Sequence, residues 1–164
     1  MMTRLIKPFL ALVLPLIAGC AAYSPSKSII GQDRATLVAS MGQPEREYVV
    51  DDLSVLHYPR GPAGSHTYFI YLDRKDLVIK SEQVLTEDRF DNIQSGMTKD
   101  QVIRILGISR ITNGLARNRG YVWHYRYETP QCNSFVIEFT REDVVRSAGY
   151  RIRSGRNCKF VGMG

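Results

Sequence analysis

The chain has 164 residues, of which 44% are hydrophobic, 23% charged and 10% aromatic. This is the composition of an ordinary globular protein, and it excludes a chain that is disordered throughout. The 13 glycines and seven prolines exclude collagen-like and coiled-coil architectures. No apolar run reaches the roughly 18 to 20 residues that a membrane-spanning helix needs. The length allows one domain of usual size or two small ones.

The first twenty residues are typical of an export signal. Two basic residues precede a short apolar run over residues 9–18, which is the order of a secretory signal peptide. Small residues stand directly before Cys20, and this arrangement resembles the bacterial lipobox, in which the cysteine is acylated and the signal is cut before it. We therefore expect a signal peptide over residues 1–19 and a lipid anchor on Cys20. The alternative is an ordinary signal peptide followed by a chance cysteine.

The residue after the cysteine bears on the destination of the protein. In enterobacterial lipoproteins an aspartate at this position retains the protein at the inner membrane, whereas this chain has Ala21. The resemblance therefore implies an outer-membrane lipoprotein that faces the periplasm. Several acyl chains hold a protein stably, because each buried methylene adds about 0.8 kcal/mol. Residues 20–28 are expected to link the anchor to the folded part.

The charge of the mature chain is divided unevenly. Residues 20–95 contain 8 Lys/Arg and 11 Asp/Glu, a net charge of −3, whereas residues 96–164 contain 12 and 5, a net charge of +7. A basic half can contact anionic lipid or an acidic protein, but scattered arginines on a solvated surface give the same counts. Residues 152–164 form a basic C-terminal tail. The candidate contacts to anionic lipid are Arg151, Arg153, Arg156 and Lys159.

Three cysteines are present, and acylation of Cys20 would leave an even pair in an oxidising compartment. We predict that Cys132 and Cys158 form a disulfide. Closing a loop of about 27 residues would stabilise the fold by roughly 3–4 kcal/mol on the chain-entropy model. The alternative is two free thiols that lie too far apart to bond.

The sequence contains an internal repeat with a period of about 65 residues. Residues 31–42 align with residues 96–107, so that both segments begin and end with glycine and carry apolar residues at i, i+1 and i+4. This spacing predicts a helix in each copy. Asp33 and Thr98 are the expected N-caps, with Gln101 completing a capping box, and the final glycines are the expected C-caps.

A second block of the repeat aligns at an offset of 67 residues, after a change of two residues within 113–120. Leu56-His57-Tyr58 matches Trp123-His124-Tyr125, and alternating apolar residues that predict strands follow in both copies. The fold class is therefore α+β: two tandem modules, each with a helix and a three-stranded antiparallel sheet, with helices on one face. We place the modules at residues 29–85 and 86–151, the second with a short additional helix near 86–93.

The second copy carries a recognisable sequence pattern. Residues 92–107 contain a Gly-Met-Thr-Lys-x-x-Val helix start and a Leu-Gly helix end, and an aromatic strand follows at 121–125. This resembles the BamE (SmpA/OmlA) family, more clearly over 92–151 than over 29–85. The resemblance implies an outer-membrane lipoprotein with a helix-helix-strand-strand-strand fold. It also implies an accessory role in the complex that inserts β-barrel proteins, with contacts to another lipoprotein subunit and to anionic lipid.

Taken with the lipobox, the resemblance leads us to expect a lipid-anchored, non-catalytic scaffold or accessory factor in the assembly of β-barrel outer-membrane proteins. The expected partners are outer-membrane lipid, through the acylated Cys20, and barrel-assembly subunits. A tandem pair of this fold also resembles the β-lactamase-inhibitor protein, so the alternative is a periplasmic inhibitor that grips an enzyme with its open sheet face. A structural role at the cell wall is a third possibility. We expect neither nucleic acid nor a small-molecule substrate as a partner.

No catalytic or metal-binding motif of the HExxH, GxSxG, P-loop or CxxC type occurs. His57 and His124 occupy equivalent strand positions, and we interpret them as residues with the same structural role in the two copies. The acidic pairs at residues 51–52 and 87–88 are interpreted as turn or cap residues, since no further ligands are suitably spaced. We therefore expect no enzyme, no cofactor and no metal.

Four aromatic residues alternate along one predicted strand and so share one face of the sheet. They pack in the core or against the neighbouring strand, or they form an exposed platform for a protein partner, because tryptophan and tyrosine dominate interface energetics. The exposure of Trp123 distinguishes the two. These candidate partner-binding residues are Tyr121, Trp123, Tyr125 and Tyr127.

Overall fold

The computed structural model describes residues 24–127 and 133–152. Within these ranges the chain forms two antiparallel sheets of four strands each, with short helices before each sheet. The α+β class and the tandem arrangement are as predicted. The expected features outside the described residues are the signal peptide over 1–19, Cys20, Cys132, Cys158, Arg153, Arg156 and Lys159.

The first module has one helix and four strands that pair in chain order. A short 3₁₀ turn, Lys27–Ile29, precedes the helix. The elements are α1 (Arg34–Met41), β1 (Arg46–Val50), β2 (Leu53–Arg60), β3 (His66–Leu72) and β4 (Val78–Gln83). Each strand is antiparallel to the next, and a bulge between Tyr71 and Leu72 interrupts the last pairing.

The second module has the same order with one additional helix. Its elements are α2 (Glu87–Phe90), α3 (Lys99–Leu106), β5 (Thr112–Gly114), β6 (Tyr121–Arg126), β7 (Asn133–Phe139) and β8 (Val145–Ile152). The prediction of three-stranded sheets is wrong, because β1 and β5 each add a strand at one edge. Both are short and mostly exposed, so neither shows the alternation of apolar and polar residues from which a strand is predicted.

The two modules repeat backbone details as well as element order. In each, the N-cap residue forms an isolated bridge with the start of the last strand, and the glycine two residues earlier donates to a carbonyl of that strand at 2.8 Å. In each, an aspartate with positive φ, 59° and 60°, makes the last turn. The equivalent residues, 65 to 67 positions apart, are Gly31 and Gly96, Asp33 and Thr98, Asp76 and Asp143, and Val78 and Val145.

The predicted boundaries of α1 and α3 are confirmed to within one residue, whereas the helix predicted near 86–93 is shorter and ends at Phe90. The Asp33 carboxylate accepts from the Thr36 amide at 2.8 Å. Thr98 and Gln101 form the reciprocal capping box. The Thr98 backbone N–H donates to the side-chain oxygen of Gln101 at 2.8 Å, and the Gln101 backbone N–H donates to the Thr98 hydroxyl oxygen at 3.3 Å. Such caps stabilise a helix by about 1 kcal/mol each. Gly42 and Gly107 end the helices with φ of 78°.

The layers stack in the order α1, first sheet, α2 with α3, second sheet. Successive residues of a strand point to opposite faces, so Leu56 and Ile70 pack with Leu37 of α1, whereas Val55 and Phe69 join the core that contains α3. Helices therefore cover one face of the second sheet, as predicted. For the first sheet that prediction is wrong, because its second face is closed by the helices of the other module.

Candidate interaction surfaces

The aromatic residues of β6 lie in the core. Trp123, Tyr125 and Tyr127 are only 4%, 3% and 5% exposed, and they pack on Phe90 and Phe139. The core alternative is therefore correct, and the interpretation of this strand as an exposed platform is corrected. The reason is the order of the layers: this face of the second sheet is the one that meets α2 and α3, which bury its large apolar area.

Tyr121, at the start of the same strand, is only half-buried and joins a polar cluster. Its hydroxyl donates to Asp143 at 2.5 Å, and the Lys99 ammonium lies 5.3 Å from the centre of its ring and 3.4 Å from the Asp143 carboxylate. Burial, followed by the hydrogen bond to Asp143, raises the pKa of Tyr121. The cluster ties the start of α3 to the turn before β8, so its evident role is to hold these elements together.

The interface between the modules centres on His57. This residue is 2% exposed, and its ring stacks on Phe69 with the centroids 4.0 Å apart and meets the edge of Tyr48 at 4.8 Å. Neither ring nitrogen has a hydrogen-bond partner among the described residues. Burial, with a smaller contribution from the charge of Arg46, lowers the pKa of His57 to about 4. The imidazole is therefore neutral and packs as an aromatic ring.

Polar contacts surround this interface. The Tyr48 hydroxyl donates to the Arg104 carbonyl at 3.2 Å, and the Arg104 guanidinium lies 5.1 Å from the centre of the Tyr48 ring. Ion pairs join Arg46 to Asp100 at 3.7 Å and Arg110 to Glu45 at 3.3 Å. Exposed ion pairs of this kind contribute little stability, so the apolar contacts hold the modules together.

No helix among the described residues covers the second face of the second sheet. This face forms an open groove of about 440 Å³ whose floor includes Val122, His124, Val136, Ser147 and Gly149. The exposed Arg151 stands on this face, since it pairs across the ladder with Ser134. Burial, followed by the charge of Arg151, lowers the pKa of His124. The groove therefore mixes apolar and small polar side chains, and both Glu138 and Arg151 line it.

A second basic surface lies at the loop end of the second sheet. A groove of about 370 Å³ is lined by four exposed arginines together with Thr140 and Glu142. One of them, Arg146, pairs with Glu138 and donates to the Arg119 carbonyl at 2.8 Å. Sequence reasoning missed this group because it is assembled from two loops that are far apart in the chain. The four are Arg117, Arg119, Arg141 and Arg146.

No group of three or more His, Cys, Asp or Glu is placed to hold a metal ion among residues 24–127 and 133–152. In the same part of the chain, no helix has the length and apolar character needed to cross a membrane.

Comparison with known proteins finds one family model that matches part of the chain. Residues 82–149 match the family model described as the outer membrane protein assembly factor BamE domain. The match begins in β4 and ends in β8, so it covers α2, α3 and nearly all of the second sheet. No curated protein matches the chain.

Two solved structures resemble the chain weakly. An extracellular protein containing a SCP domain from Bacillus anthracis str. Ames is 14% identical, with a TM-score of 0.31, over 79% of this chain and 46% of that protein. The chain thus spans less than half of that protein's length. The DUF4309 family protein YjgB from Bacillus subtilis is 12% identical, with a TM-score of 0.29, over 74% of this chain and 79% of its own.

Proposed function

We propose, from the match of the second module to the BamE domain model, that the protein is a non-catalytic scaffold in the assembly of β-barrel outer-membrane proteins. The observation that carries the proposal is the family match over residues 82–149. The uncovered groove and the arginine cluster both lie on this module. It therefore offers the surfaces through which a scaffold would bind its partners.

We also propose that the protein is anchored in the outer membrane through acylated Cys20 and faces the periplasm. The basic run, apolar run and small residues before this cysteine support the anchor. Labelling cells with radioactive palmitate should label the wild-type chain and leave Cys20→Ser unlabelled. Equal labelling of both chains would remove the anchor from the proposal, and the scaffold role would then need another route to the membrane.

Affinity capture tests the scaffold role. The tagged full chain is captured from membranes solubilised in mild detergent, and Cys20→Ser serves as the matched control because it leaves every described contact intact. Barrel-assembly subunits should be recovered with the wild-type chain and in lower amount with the control. Their absence from both would contradict the proposal. Recovery of one soluble hydrolase instead would favour the inhibitor alternative.

The fold offers less open sheet surface for gripping an enzyme than the sequence suggests, which weakens the inhibitor alternative. A tandem protein that grips an enzyme with its open sheets would present both sheets, whereas here the second face of the first sheet is filled by Ile103 and Gly107 at the end of α3. Within residues 24–127 and 133–152, only the second sheet retains an open face. For this reason we place the assembly role first.

The proposed contact with anionic lipid needs a separate comparison. Arg151 is the one member of the predicted basic group within the described residues, and it stands on the groove face rather than in the arginine cluster. Flotation with vesicles that contain anionic lipid should fall when Arg117, Arg119 and Arg141 are changed to glutamine. Unchanged flotation would leave the tail residues Arg153, Arg156 and Lys159 as the candidates.

A further inference from the structure

The stack contains one interface between a helix of one module and a sheet of the other. Among the described residues, an equivalent helix and an equivalent sheet face lie uncovered at its two ends. Inside the molecule, α3 packs on the second face of the first sheet. The equivalent helix, α1, lies at one end, and the equivalent face of the second sheet lies at the other. We propose that copies of the protein associate head to tail, with α1 of one copy packing on the open face of the second sheet of the next.

The sheet side of the argument compares matched residues on β2 and β6. In the first sheet Val55 and His57 are 1% and 2% exposed, because α3 covers them. Their equivalents Val122 and His124 are only half-buried and line the groove. The same positions in the same strand thus differ in burial because only one of the two sheets is covered by a helix.

The helix side gives the same result. Ile103 is 3% exposed against the first sheet, and a Cβ built on Gly107 would lie 3.1 Å from the Thr67 methyl and 3.6 Å from the Phe69 ring. The equivalent Val38 is half-exposed, and a Cβ on Gly42 would meet nothing within 4 Å. The outward positions of α1 are therefore equivalent to the positions through which α3 contacts the first sheet.

The outward side of α1 has the composition of a contact surface. Its residues are small and uncharged, and they coincide with the positions at which α3 meets the first sheet. Small residues on a helix and on a facing sheet allow close approach of the two backbones, and the groove likewise contains Ser147 and Gly149. The four outward residues of α1 are Ala35, Val38, Ala39 and Gly42.

The opposite net charges of the two modules favour contact between unlike ends. The first module, residues 29–85, has 6 Lys/Arg and 8 Asp/Glu, a net charge of −2, whereas residues 86–164 have 13 and 8, a net charge of +5. Two copies that meet through like ends would repel each other, and copies that meet through unlike ends attract. A head-to-tail contact of this kind does not close on itself, so it builds short linear assemblies.

The test uses sedimentation of the full chain in mild detergent, over a concentration series up to roughly 100 µM, at which a micromolar interface is mostly assembled. The mass of the wild-type chain should rise with concentration. Ala39→Arg adds bulk and a charge to α1 where it would meet the groove, and Gly149→Gln fills the groove, since a Cβ on Gly149 would meet nothing within 4 Å. Each should raise the apparent dissociation constant at least about tenfold.

Two controls separate this interface from misfolding or clustering by the anchor. Thr36→Arg adds the same charge to another side of α1 and should associate like the wild-type chain. A mixture of Ala39→Arg and Gly149→Gln should form dimers and nothing larger, because each variant keeps one intact end. A monomeric wild-type chain, association that both variants retain, or no dimer in the mixture would each overturn the proposal.

Discussion

His57 lies flat on Phe69, with the two ring planes 4° apart and the centroids separated by 4.0 Å. The pair is formed by neighbouring strands of the first sheet and is sealed by the helices of the second module. A residue that titrates near neutral pH in water is thereby used as a buried aromatic ring. This arrangement makes the contact between the modules sensitive to acid.

The first prediction concerns that sensitivity. The pKa of His57 is lowered from 6.5 to about 4 in the native protein, so the unfolded chain binds the proton more readily. The contribution to stability is fully present above pH 6.5 and is lost as the pH falls through 4. We expect the free energy of unfolding to fall by about 3 kcal/mol over this range, measured by urea titration at each pH.

The matched control is the equivalent histidine of the second module. His57→Phe should remove the pH-dependent difference, because the phenyl ring keeps the stack and has no proton to bind. His124→Phe should retain it, since His124 is half-exposed and is not enclosed between the modules. Identical pH dependence in the wild-type chain and His57→Phe would contradict the prediction.

The second prediction compares two equivalent tyrosines. The Tyr125 hydroxyl donates to the Gly107 carbonyl at 2.8 Å in a buried site, and the Tyr58 hydroxyl donates to the Gly42 carbonyl at 3.1 Å in a partly buried one. Tyr125→Phe leaves a buried carbonyl unpaired and should destabilise by about 1–2 kcal/mol. Tyr58→Phe should cost less, because water can replace its hydroxyl. Chemical denaturation of both variants measures the difference, and equal losses would argue against it.

The third prediction uses the glycines that end α1 and α3. Both have φ of 78°, a conformation that is strained for any residue with a Cβ, at about 1–3 kcal/mol. Gly42→Ala should cost that strain alone. Gly107→Ala should cost more, because its methyl would also crowd Thr67 at 3.1 Å. Thermal unfolding should therefore rank the midpoints as wild type, Gly42→Ala, Gly107→Ala, and the reverse order of the two variants would contradict the interface described here.

The fourth prediction concerns the two cysteines outside the described residues. The exported chain should resist alkylation without reductant and should gain the mass of two hydrogens on reduction, because Cys132 and Cys158 are expected to be bonded. Cys158→Ser should then expose one reactive thiol, at Cys132. Two thiols that alkylate without reductant in the wild-type chain would rule out the disulfide.

The features that sequence predicts well here are local. Helix caps, such as Thr98 with Gln101, depend on residues three positions apart, and the strand faces depend on alternation. The duplication strengthened both, because each pattern occurs twice. The positive φ of Asp51 and Asp52 in the turn between β1 and β2 also agrees with the interpretation of that acidic pair as turn residues.

The features that could not be predicted depend on contacts between distant segments. Which face of the second sheet meets the helices decides whether Trp123 is buried, and the alternation along β6 is the same for either face. The sequence indicates only weakly that α3 covers the first sheet. The one sign is the continuous apolar run in β3 around Phe69 and Ile70, which is typical of a strand buried on both faces. No sequence pattern predicts the arginine cluster, because its members come from two separate segments of the chain.

The core that contains α3 also includes Val55 and Phe69 of the first sheet, so a helix of the second module completes the packing of the first. A chain that ended after the first module would leave Phe69 and His57 facing water.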